Sequence, residues 1–375
     1  MPEIHKGVEG IYIDRSSISR VFGEKGKLTY RGYWIEDLAH KASYEEVTYL
    51  LLYGKLPNRE ELESFEEKLK NYRELDSATK NLIGNMTEKA PMDVLRTAVS
   101  SLTDVEEYTE FDIEENKEDG VKIIAKVPTI IAYFDRIRQG KKAVEPNRDF
   151  SHAENFLYML HGEAPTEKEV KAMDAALILY AEHGMNASTF ASITTASTLA
   201  NIYSAITSGI GALQGPLHGG ATETVVEMLD EIGSKDKVED FVDRKLESHE
   251  KIPGFGHRVY KALDPRCAVF EEYYRQLSEE RGDRERLEMI KKLHEKVVSE
   301  LGDKGIYPNG DLYSGTVYSA LGIKRDLFTC MFAMARVAGW TAHVFEQWED
   351  NRIVRPRVEY TGETDLEFPE IEGRS

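Results

Sequence analysis

Helical patterning follows the first 34 residues and runs through almost all of the 375-residue chain. Apolar residues recur at spacings of three and four, and Gly or Pro residues separate the helical segments. The pairs Ser43/Glu46 and Thr166/Glu169 form capping boxes that mark predicted helix starts. Short aromatic and β-branched runs occur only in residues 8–34. The sequence therefore predicts an all-α fold with a small N-terminal β element.

Three segments carry more specific structural predictions. Residues 10–14 read as the first β-like run. Residues 187–206 are rich in Ala, Ser and Thr, which predicts one closely packed central helix or a subunit-interface helix, with an ordinary core helix as the alternative. The acidic stretch 103–119 predicts a solvated loop or a weak helix end.

The charge balance excludes some classes of partner. A formal net charge of -19 argues against nonspecific nucleic-acid binding, so an anionic ligand needs a local cationic cluster. Cys267 and Cys330 provide neither a disulfide framework nor metal-ligand spacing. The N-terminus lacks the apolar core of a signal peptide, and no apolar run is long enough to span a bilayer. We therefore expect a cytoplasmic protein that binds neither membrane nor nucleic acid.

Sharp Gly/Pro breaks interrupt the helices at residues 215–220 and 307–311. We take the block between them, residues 221–322, as a smaller helical domain. It would be inserted between residues 1–220 and 323–375, which together form a larger discontinuous domain.

The segment 253–266 lies within the predicted small domain. Its glycines favour a tight loop that presents His257, and Asp264 with Pro265 favours a helix start that places Arg266 in the first turn. A helix N-terminus with nearby cations suits an anionic ligand. The alternative is a surface turn with a solvated His-Arg pair.

His218, His257 and Asp311 each lie at a break in the helical pattern. A carboxylate base with two imidazole donors suits removal of a proton from carbon next to a carbonyl, because a donor must stabilise the resulting oxyanion. A helix N-terminus should lower the pKa of His218. The alternatives are structural turn residues for the two histidines and a helix N-cap for Asp311.

Four further residues are weaker candidates for ligand binding. His183 ends a helix and serves either as a ligand donor or as a partner of the helix dipole. Arg266, Arg336 and Arg355 suit bidentate binding of carboxylates, and Arg336 lies in an apolar run where a buried guanidinium needs an anion. The remaining histidines are expected to be structural or surface residues: His5, His40, His152, His161, His249, His294 and His343. No motif indicates a metal or a redox cofactor.

Three motifs resemble the active-site signatures of the citrate synthase family. They are Gly-Pro-Leu-His-Gly-Gly at 215–220, the segment 253–266, and Pro-Asn-Gly-Asp-Leu-Tyr-Ser-Gly at 308–315. The likeness extends to Tyr-Arg-Gly-Tyr at 30–33 and Arg-Pro-Arg at 355–357, and so covers nearly the whole chain. The length is similar to that of the compact archaeal and bacterial members.

The resemblance implies a two-domain homodimer that condenses acetyl-CoA with oxaloacetate and water to give citrate and CoA. Such a citrate (Si)-synthase is an acyltransferase of the tricarboxylic acid cycle, with acetyl-CoA as substrate and no cofactor. It also implies that Asp311 is the base, that His218 donates to the thioester carbonyl, and that His257 donates to the oxaloacetate ketone.

The same resemblance implies the binding residues. His183, Arg266 and Arg336 match residues that hold oxaloacetate or citrate carboxylates, and Arg355 matches an arginine that reaches the partner subunit's site. Arg258 and Lys261 are expected to contact CoA. One departure is Gly310, where relatives often carry Val; it could loosen the segment that aims the base.

Two alternatives remain open on sequence grounds. A 2-methylcitrate synthase that uses propionyl-CoA would share these motifs, because one methylene changes binding by only about 1–3 kcal/mol. A non-catalytic acyl-CoA-binding protein descended from the enzyme is the second alternative, against which the intact His218, His257 and Asp311 argue.

Overall fold

A computed structural model describes residues 3–103, 111–282 and 284–374. Across those ranges the chain forms sixteen α-helices and one antiparallel sheet of strand order β1-β2-β3. The strands are β1 (Ser19–Phe22), β2 (Lys27–Tyr30) and β3 (Tyr33–Trp34). The helices are α1 (Ile35–Lys41), α2 (Tyr44–Tyr53), α3 (Arg59–Tyr72), α4 (Ser77–Gly84), α5 (Pro91–Ser100), α6 (Ile113–Arg138), α7 (His152–His161), α8 (Glu167–Tyr180), α9 (Ala187–Ala196), α10 (Ile202–Leu213), α11 (Ala221–Ile232), α12 (Val238–Glu247), α13 (Arg266–Arg281), α14 (Arg284–Leu301), α15 (Asp311–Ala320) and α16 (Phe328–Glu349). The predicted all-α fold with a small N-terminal β element is confirmed.

Both predicted capping boxes are present. The Ser43 hydroxyl accepts from the Glu46 backbone N–H at 3.2 Å, while the Glu46 carboxylate accepts from the Ser43 N–H at 2.7 Å. Thr166 and Glu169 exchange the equivalent pair of hydrogen bonds. Each box satisfies backbone donors that the first helical turn leaves free, which fixes the starts of α2 and α8.

Three sequence-based expectations are wrong. Residues 187–206 form two helices, because Asn201 caps a new helix by accepting from the Ser204 N–H at 3.0 Å. Residues 10–14 lie outside the strands, and β1 begins only at Ser19. In the acidic stretch 103–119, residues 104–110 lie outside the described residues, but α6 already begins at Ile113 because Asp112 caps it.

Helix α16 runs through the middle of the core, with most of its side chains buried. It packs against α2, α6, α8, α9 and α10. The N-terminal elements attach to this centre through tyrosines: the Tyr30 hydroxyl donates to the Glu182 carbonyl at 2.8 Å, and the Tyr44 hydroxyl lies 3.0 Å from the Ala335 carbonyl. These contacts hold the sheet and α2 against the end of α8 and the middle of α16, from which several site residues project.

The described helices include none that combines the length and apolar character needed to cross a bilayer. Within residues 221–322, α13 packs against α14 and α15, and α11 also packs against α15. Helix α13 additionally contacts α8, which lies outside that block. The division into a discontinuous large domain and a small domain stays a prediction.

Candidate active site

Two loops are joined by backbone pairing at the centre of the site. Phe255 forms a bridge with Pro308, the Gly256 N–H donates to the Tyr307 carbonyl at 2.8 Å, and the Asn309 N–H donates to the Gly254 carbonyl at 2.9 Å. Gly254 has a φ of +83°, and a Cβ there would lie 3.0 Å from Leu312. The pairing brings the loop that carries His257 to the segment that precedes Asp311.

His257 has a defined tautomer. Its Nδ1 accepts from the backbone N–H groups of Val259 at 3.0 Å and Tyr260 at 3.1 Å, so the ring proton of the neutral form lies on Nε2. Burial, together with the nearby Arg266 guanidinium, lowers the pKa of His257 to about 4. The ring is therefore neutral near pH 7 and has Nε2–H available as a donor.

His183 lies edge-on to His257, with ring centroids 5.3 Å apart. Its Nε2 atom is buried and has no hydrogen-bond partner among the described residues. Burial and the nearby Arg266 guanidinium hold the pKa of His183 well below its usual range. A buried polar atom without a partner is costly, so Nε2 of His183 is suited to a ligand.

His218 lies in the turn between α10 and α11. Its Nε2 is 3.3 Å from the Ser188 backbone N and 2.8 Å from the Ser188 Oγ. It also lies 3.2 Å from Asn186 Oδ1, which already accepts from the N–H groups of Ser188 and Thr189. A backbone N–H can only donate, so the contact with the Ser188 N–H favours an acceptor at Nε2 and a proton on Nδ1. The pKa falls to about 4, as predicted in direction, but the cause is burial followed by the Arg336 charge and not a helix dipole.

Arg266 begins α13 and forms a buried ion pair with Asp264. Its Nε lies 2.9 Å from Oδ1 and its Nη2 lies 2.6 Å from Oδ2 of that carboxylate. Oδ2 also accepts from the Gly310 N–H at 3.1 Å. Burial alone would raise the pKa of Asp264, but the Arg266 guanidinium holds it below the usual range. The pair thus links Arg266 to the residue before Asp311.

Arg336 is buried in the middle of α16, as its apolar context predicted. Its Nε donates to the Tyr180 carbonyl at 2.7 Å, and its nearest opposing charge is the buried Glu182. Glu182 in turn accepts from Ser19 Oγ at 2.9 Å and lies 3.0 Å from His343 Nε2. The site therefore holds a second buried guanidinium whose counterion is shared with a polar network.

Asp311 is the first residue of α15, and its carboxylate receives side-chain hydroxyls. Oδ1 accepts from the Tyr180 hydroxyl at 2.8 Å and from the Thr222 hydroxyl at 2.9 Å. The alternative of an N-cap role is wrong, because Asp311 lies inside the helix and the N-cap is Gly310, which makes no side-chain cap. Asp311 is thus free to act as a base.

Several residues at the site were missed or assigned a different role on sequence grounds. Tyr180 and Thr222 carried no motif signal of their own. Asp264 was interpreted only as a cap, although its pairing with Arg266 two residues later was foreseeable. His343 is buried against Glu182, which agrees with the structural role expected for it and not with a surface position.

The remaining predicted residues lie at exposed positions. Arg258 and Lys261 follow His257 on the same loop, where the Lys261 N–H donates to the Gly23 carbonyl at 3.1 Å. Arg355 lies in the exposed extended segment after α16, and in the single described chain no contact joins it to the other site residues. The described residues contain no group of three or more His, Cys, Asp or Glu side chains arranged to hold a metal ion.

The arrangement combines the Asp311 carboxylate with three imidazoles and two buried guanidiniums, each guanidinium near a carboxylate of the protein. Tyr180 connects several of them: its ring lies 5.2 Å from the Arg266 guanidinium and 4.6 Å from Phe332, whose ring is 6.1 Å from His218. Such a set can bind a dianion, accept a proton at the carboxylate and donate hydrogen bonds to two carbonyl oxygens.

The chain is similar to proteins of one family. A family model for the citrate synthase C-terminal domain matches residues 7–357. A citrate synthase of Deinococcus radiodurans is 45% identical over 100% of both chains, and 2-methylcitrate synthase 2 of Corynebacterium glutamicum is 40% identical over 99% of this chain and 98% of its own. The solved ternary complex of carboxymethyl coenzyme A and oxaloacetate with the Thermoplasma acidophilum citrate synthase matches with a TM-score of 0.93, 35% identity and full coverage of both chains. The chain therefore belongs to the citrate synthase family and is an enzyme of this type.

Proposed function

We propose that the chain condenses acetyl-CoA with oxaloacetate and water to give citrate and CoA. The observation that carries the proposal is the geometry of three side chains. The Tyr180 hydroxyl donates to Oδ1 of Asp311, Nδ1 of His257 accepts from backbone N–H groups, and Nε2 of His218 contacts the Ser188 N–H, so each ring keeps its other nitrogen for a substrate. Proton removal next to a thioester needs this combination of a base and neutral donors.

In the first step Asp311 takes a proton from the methyl group of acetyl-CoA. Negative charge develops on the thioester oxygen, where the Nδ1–H of His218 donates a hydrogen bond. A neutral imidazole suits this role, and burial keeps His218 neutral.

In the second step the enol carbon attacks the ketone carbon of oxaloacetate and forms the new C–C bond. The Nε2–H of His257 donates to the ketone oxygen and passes to it as the bond to carbon becomes single. The proton that Asp311 took from the methyl group then returns the His257 ring to its neutral form and Asp311 to the carboxylate. Water then cleaves the thioester of the condensed product, releasing CoA as a thiol and citrate as the free acid. No cofactor is needed, because acetyl-CoA supplies the activated acyl group.

The two carboxylates of oxaloacetate would meet His183, Arg266 and Arg336. Burial of Arg266 and Arg336 in a protein of net charge -19 supports a local cationic pocket for a dianion. Arg258 and Lys261 on the exposed part of the loop would contact the anionic CoA. In a homodimer, Arg355 from a second copy of this chain would complete the carboxylate site.

Residues 221–322 would form the small domain that closes over oxaloacetate and completes the thioester site. Closure would exclude water until condensation is complete. Three parts of the proposal follow from the family: the dimer, this domain movement, and a place in the tricarboxylic acid cycle in the cytoplasm.

A second candidate is condensation of propionyl-CoA, for which the 40% identical relative named 2-methylcitrate synthase provides support. The two reactions use the same acid-base groups and differ by one methylene in the acyl pocket, which is worth about 1–3 kcal/mol.

The test measures free-thiol release from acetyl-CoA and from propionyl-CoA, each with and without oxaloacetate. We expect release that depends on oxaloacetate, with the higher kcat/KM for acetyl-CoA. An Asp311→Asn variant should keep its fold and lose at least about 1000-fold in kcat, since it lacks the base. A higher kcat/KM for propionyl-CoA would replace the main proposal by the second, and full activity of Asp311→Asn would reject the assigned base.

A further inference from the structure

Tyr180 contacts three charged residues of the site through its hydroxyl, its ring and its backbone carbonyl. Its hydroxyl reaches Asp311, its ring lies 5.2 Å from the Arg266 guanidinium, and its backbone carbonyl accepts from Arg336. The residue is 2% exposed, and burial raises the pKa of its hydroxyl well above the usual range. The hydroxyl therefore stays protonated and can donate.

The direction of the hydrogen bonds around Tyr180 follows from the acceptor character of a carboxylate. An ionised Asp311 only accepts, so the single proton of the Tyr180 hydroxyl points to Oδ1 at 2.8 Å. Ser314 Oγ, 2.9 Å from the same hydroxyl, must then donate to it. Thr222 supplies a second donor to Oδ1 at 2.9 Å.

The two donors make the two oxygens of the Asp311 carboxylate different from each other. Oδ1 of Asp311 accepts two hydrogen bonds, whereas Oδ2 accepts none from any residue that the structure describes. A carboxylate held by one oxygen has a fixed orientation, and the other oxygen keeps its full acceptor capacity.

Gly310 provides the space for this arrangement. A Cβ at residue 310 would lie 3.4 Å from the Tyr180 hydroxyl oxygen and 3.2 Å from Arg266 Nε. Arg266 cannot easily yield, because Asp264 holds it on two atoms. The absence of a side chain at residue 310 thus leaves room for the Tyr180 hydroxyl and the Arg266 guanidinium.

We propose that Tyr180 is a positioning residue for the base: with Thr222, and in the room left by Gly310, it fixes Oδ1 of Asp311 so that Oδ2 takes the substrate proton. The inference rests on the proposed function, in which Asp311 removes a methyl proton. It assigns roles to Tyr180 and Thr222 that none of the sequence motifs indicates.

The central experiment compares Tyr180→Phe with Tyr318→Phe. The first keeps the ring beside Arg266 and the backbone carbonyl that binds Arg336, and removes only the hydroxyl. The second removes another buried hydroxyl from the same region, one that has no hydrogen-bond partner among the described residues. Steady-state kinetics are measured with acetyl-CoA and with methyl-deuterated acetyl-CoA.

For Tyr180→Phe we expect kcat to fall about 10- to 100-fold, which corresponds to one hydrogen bond to a charged group. The KM for oxaloacetate should stay within twofold, and the deuterium isotope effect on kcat should rise because proton removal becomes slower. Tyr318→Phe should match the wild type. Thr222→Val should lower kcat in the same way. Gly310→Ala should lower kcat less, because the added Cβ would crowd Arg266 Nε at 3.2 Å and only touch the Tyr180 hydroxyl at 3.4 Å.

Unchanged kcat and isotope effect in Tyr180→Phe would overturn the inference. So would a fall in kcat with no rise in the isotope effect, or an equal fall in Tyr318→Phe, since these indicate a general structural loss. A wild type that releases no thiol from acetyl-CoA would contradict the proposed function instead. If the wild type uses propionyl-CoA, the same comparison with that thioester tests the role of Tyr180.

Discussion

Two pairs of cationic side chains at the site differ in how the protein holds them. Arg266 and Arg336 are 6% and 1% exposed, and each is tied by hydrogen bonds to neighbouring groups. Arg258 and Lys261, a few residues away on the same loop, are exposed and have no ion pair in the described chain. We call the first pair the inner cations and the second pair the outer cations.

This difference separates two ways of recognising an anion. A buried guanidinium needs permanent partners, so its geometry is set before the ligand arrives, and loss of a partner is costly. An exposed cation keeps its hydration and acts mainly through long-range attraction, which salt screens. The inner cations are therefore suited to a small rigid dianion and the outer cations to a long, flexible anionic substrate.

The largest expected effect comes from breaking the inner pair. Asp264→Asn leaves Arg266 buried with no carboxylate, which should lower the free energy of unfolding by about 3–5 kcal/mol and raise the KM for oxaloacetate. Urea denaturation and steady-state kinetics measure the two changes. Glu231→Gln breaks the Arg244–Glu231 pair, also 2.9 Å long but 64% and 56% exposed, and should cost less than about 1 kcal/mol. Equal losses in the two variants would contradict the distinction.

A smaller effect is expected from removing the outer cations. The double variant Arg258→Ala/Lys261→Ala should raise the KM for acetyl-CoA several-fold at low salt and leave the KM for oxaloacetate and the unfolding midpoint unchanged. Added salt should weaken acetyl-CoA binding by the wild type more than by the variant, because the lost term is electrostatic. Lys171→Ala, which removes an exposed cation of α8, is the control. A raised KM for oxaloacetate would show that the outer cations belong to the inner site.

The smallest effect concerns the neutral rings that border the inner cations. Because burial lowers the pKa of His218 and His257 to about 4, both rings stay neutral down to about pH 5, although an ordinary histidine would charge near 6.5. Protonation below that point places an N–H against the backbone donors of Ser188 or Val259. We therefore expect kcat to show no histidine titration between pH 5.5 and 8, in samples shown to be folded by circular dichroism. A midpoint near 6.5 would mean that the rings are more hydrated than their burial indicates.

Local sequence signals predicted most of the helices because capping and turn residues act over three or four positions. Ser43 with Glu46 marks the start of α2 independently of the rest of the chain. The failure at residues 187–206 has the same local origin: small residues suit one continuous helix, but Asn201 competes as a cap. Here two local signals conflicted, and the single capping residue Asn201 determined the structure, not the helix-favouring composition.

The site was predictable where its residues lie at breaks in the helical pattern or, for Arg336, where a charge stands in an apolar run. His218, His257 and Asp311 each follow a Gly/Pro turn, so their chemistry is visible in the sequence. Tyr180 was not predictable, because it lies 131 residues from Asp311 and its role arises solely from the packing of α8 against α15. For the same reason, the predicted lowering of the His218 pKa was correct, but its predicted cause was a local helix dipole. The actual cause is burial by residues distant in the sequence.

The tyrosines that attach the N-terminal elements to the core also determine when the enzyme can assemble. The hydroxyl of Tyr44 bonds to a carbonyl 291 residues further along the chain, and Ser17 bonds to Glu346, 329 residues away. Contacts of such long sequence separation form late, because the loop between them must close first. A ribosome adds roughly 5–20 residues per second, so α2 is complete on the order of 15–60 s before its partner in α16 is synthesised. Helix α2 can pack against α3, α7 and α8 earlier, but its face toward α16 stays uncovered until nearly the whole chain has been made.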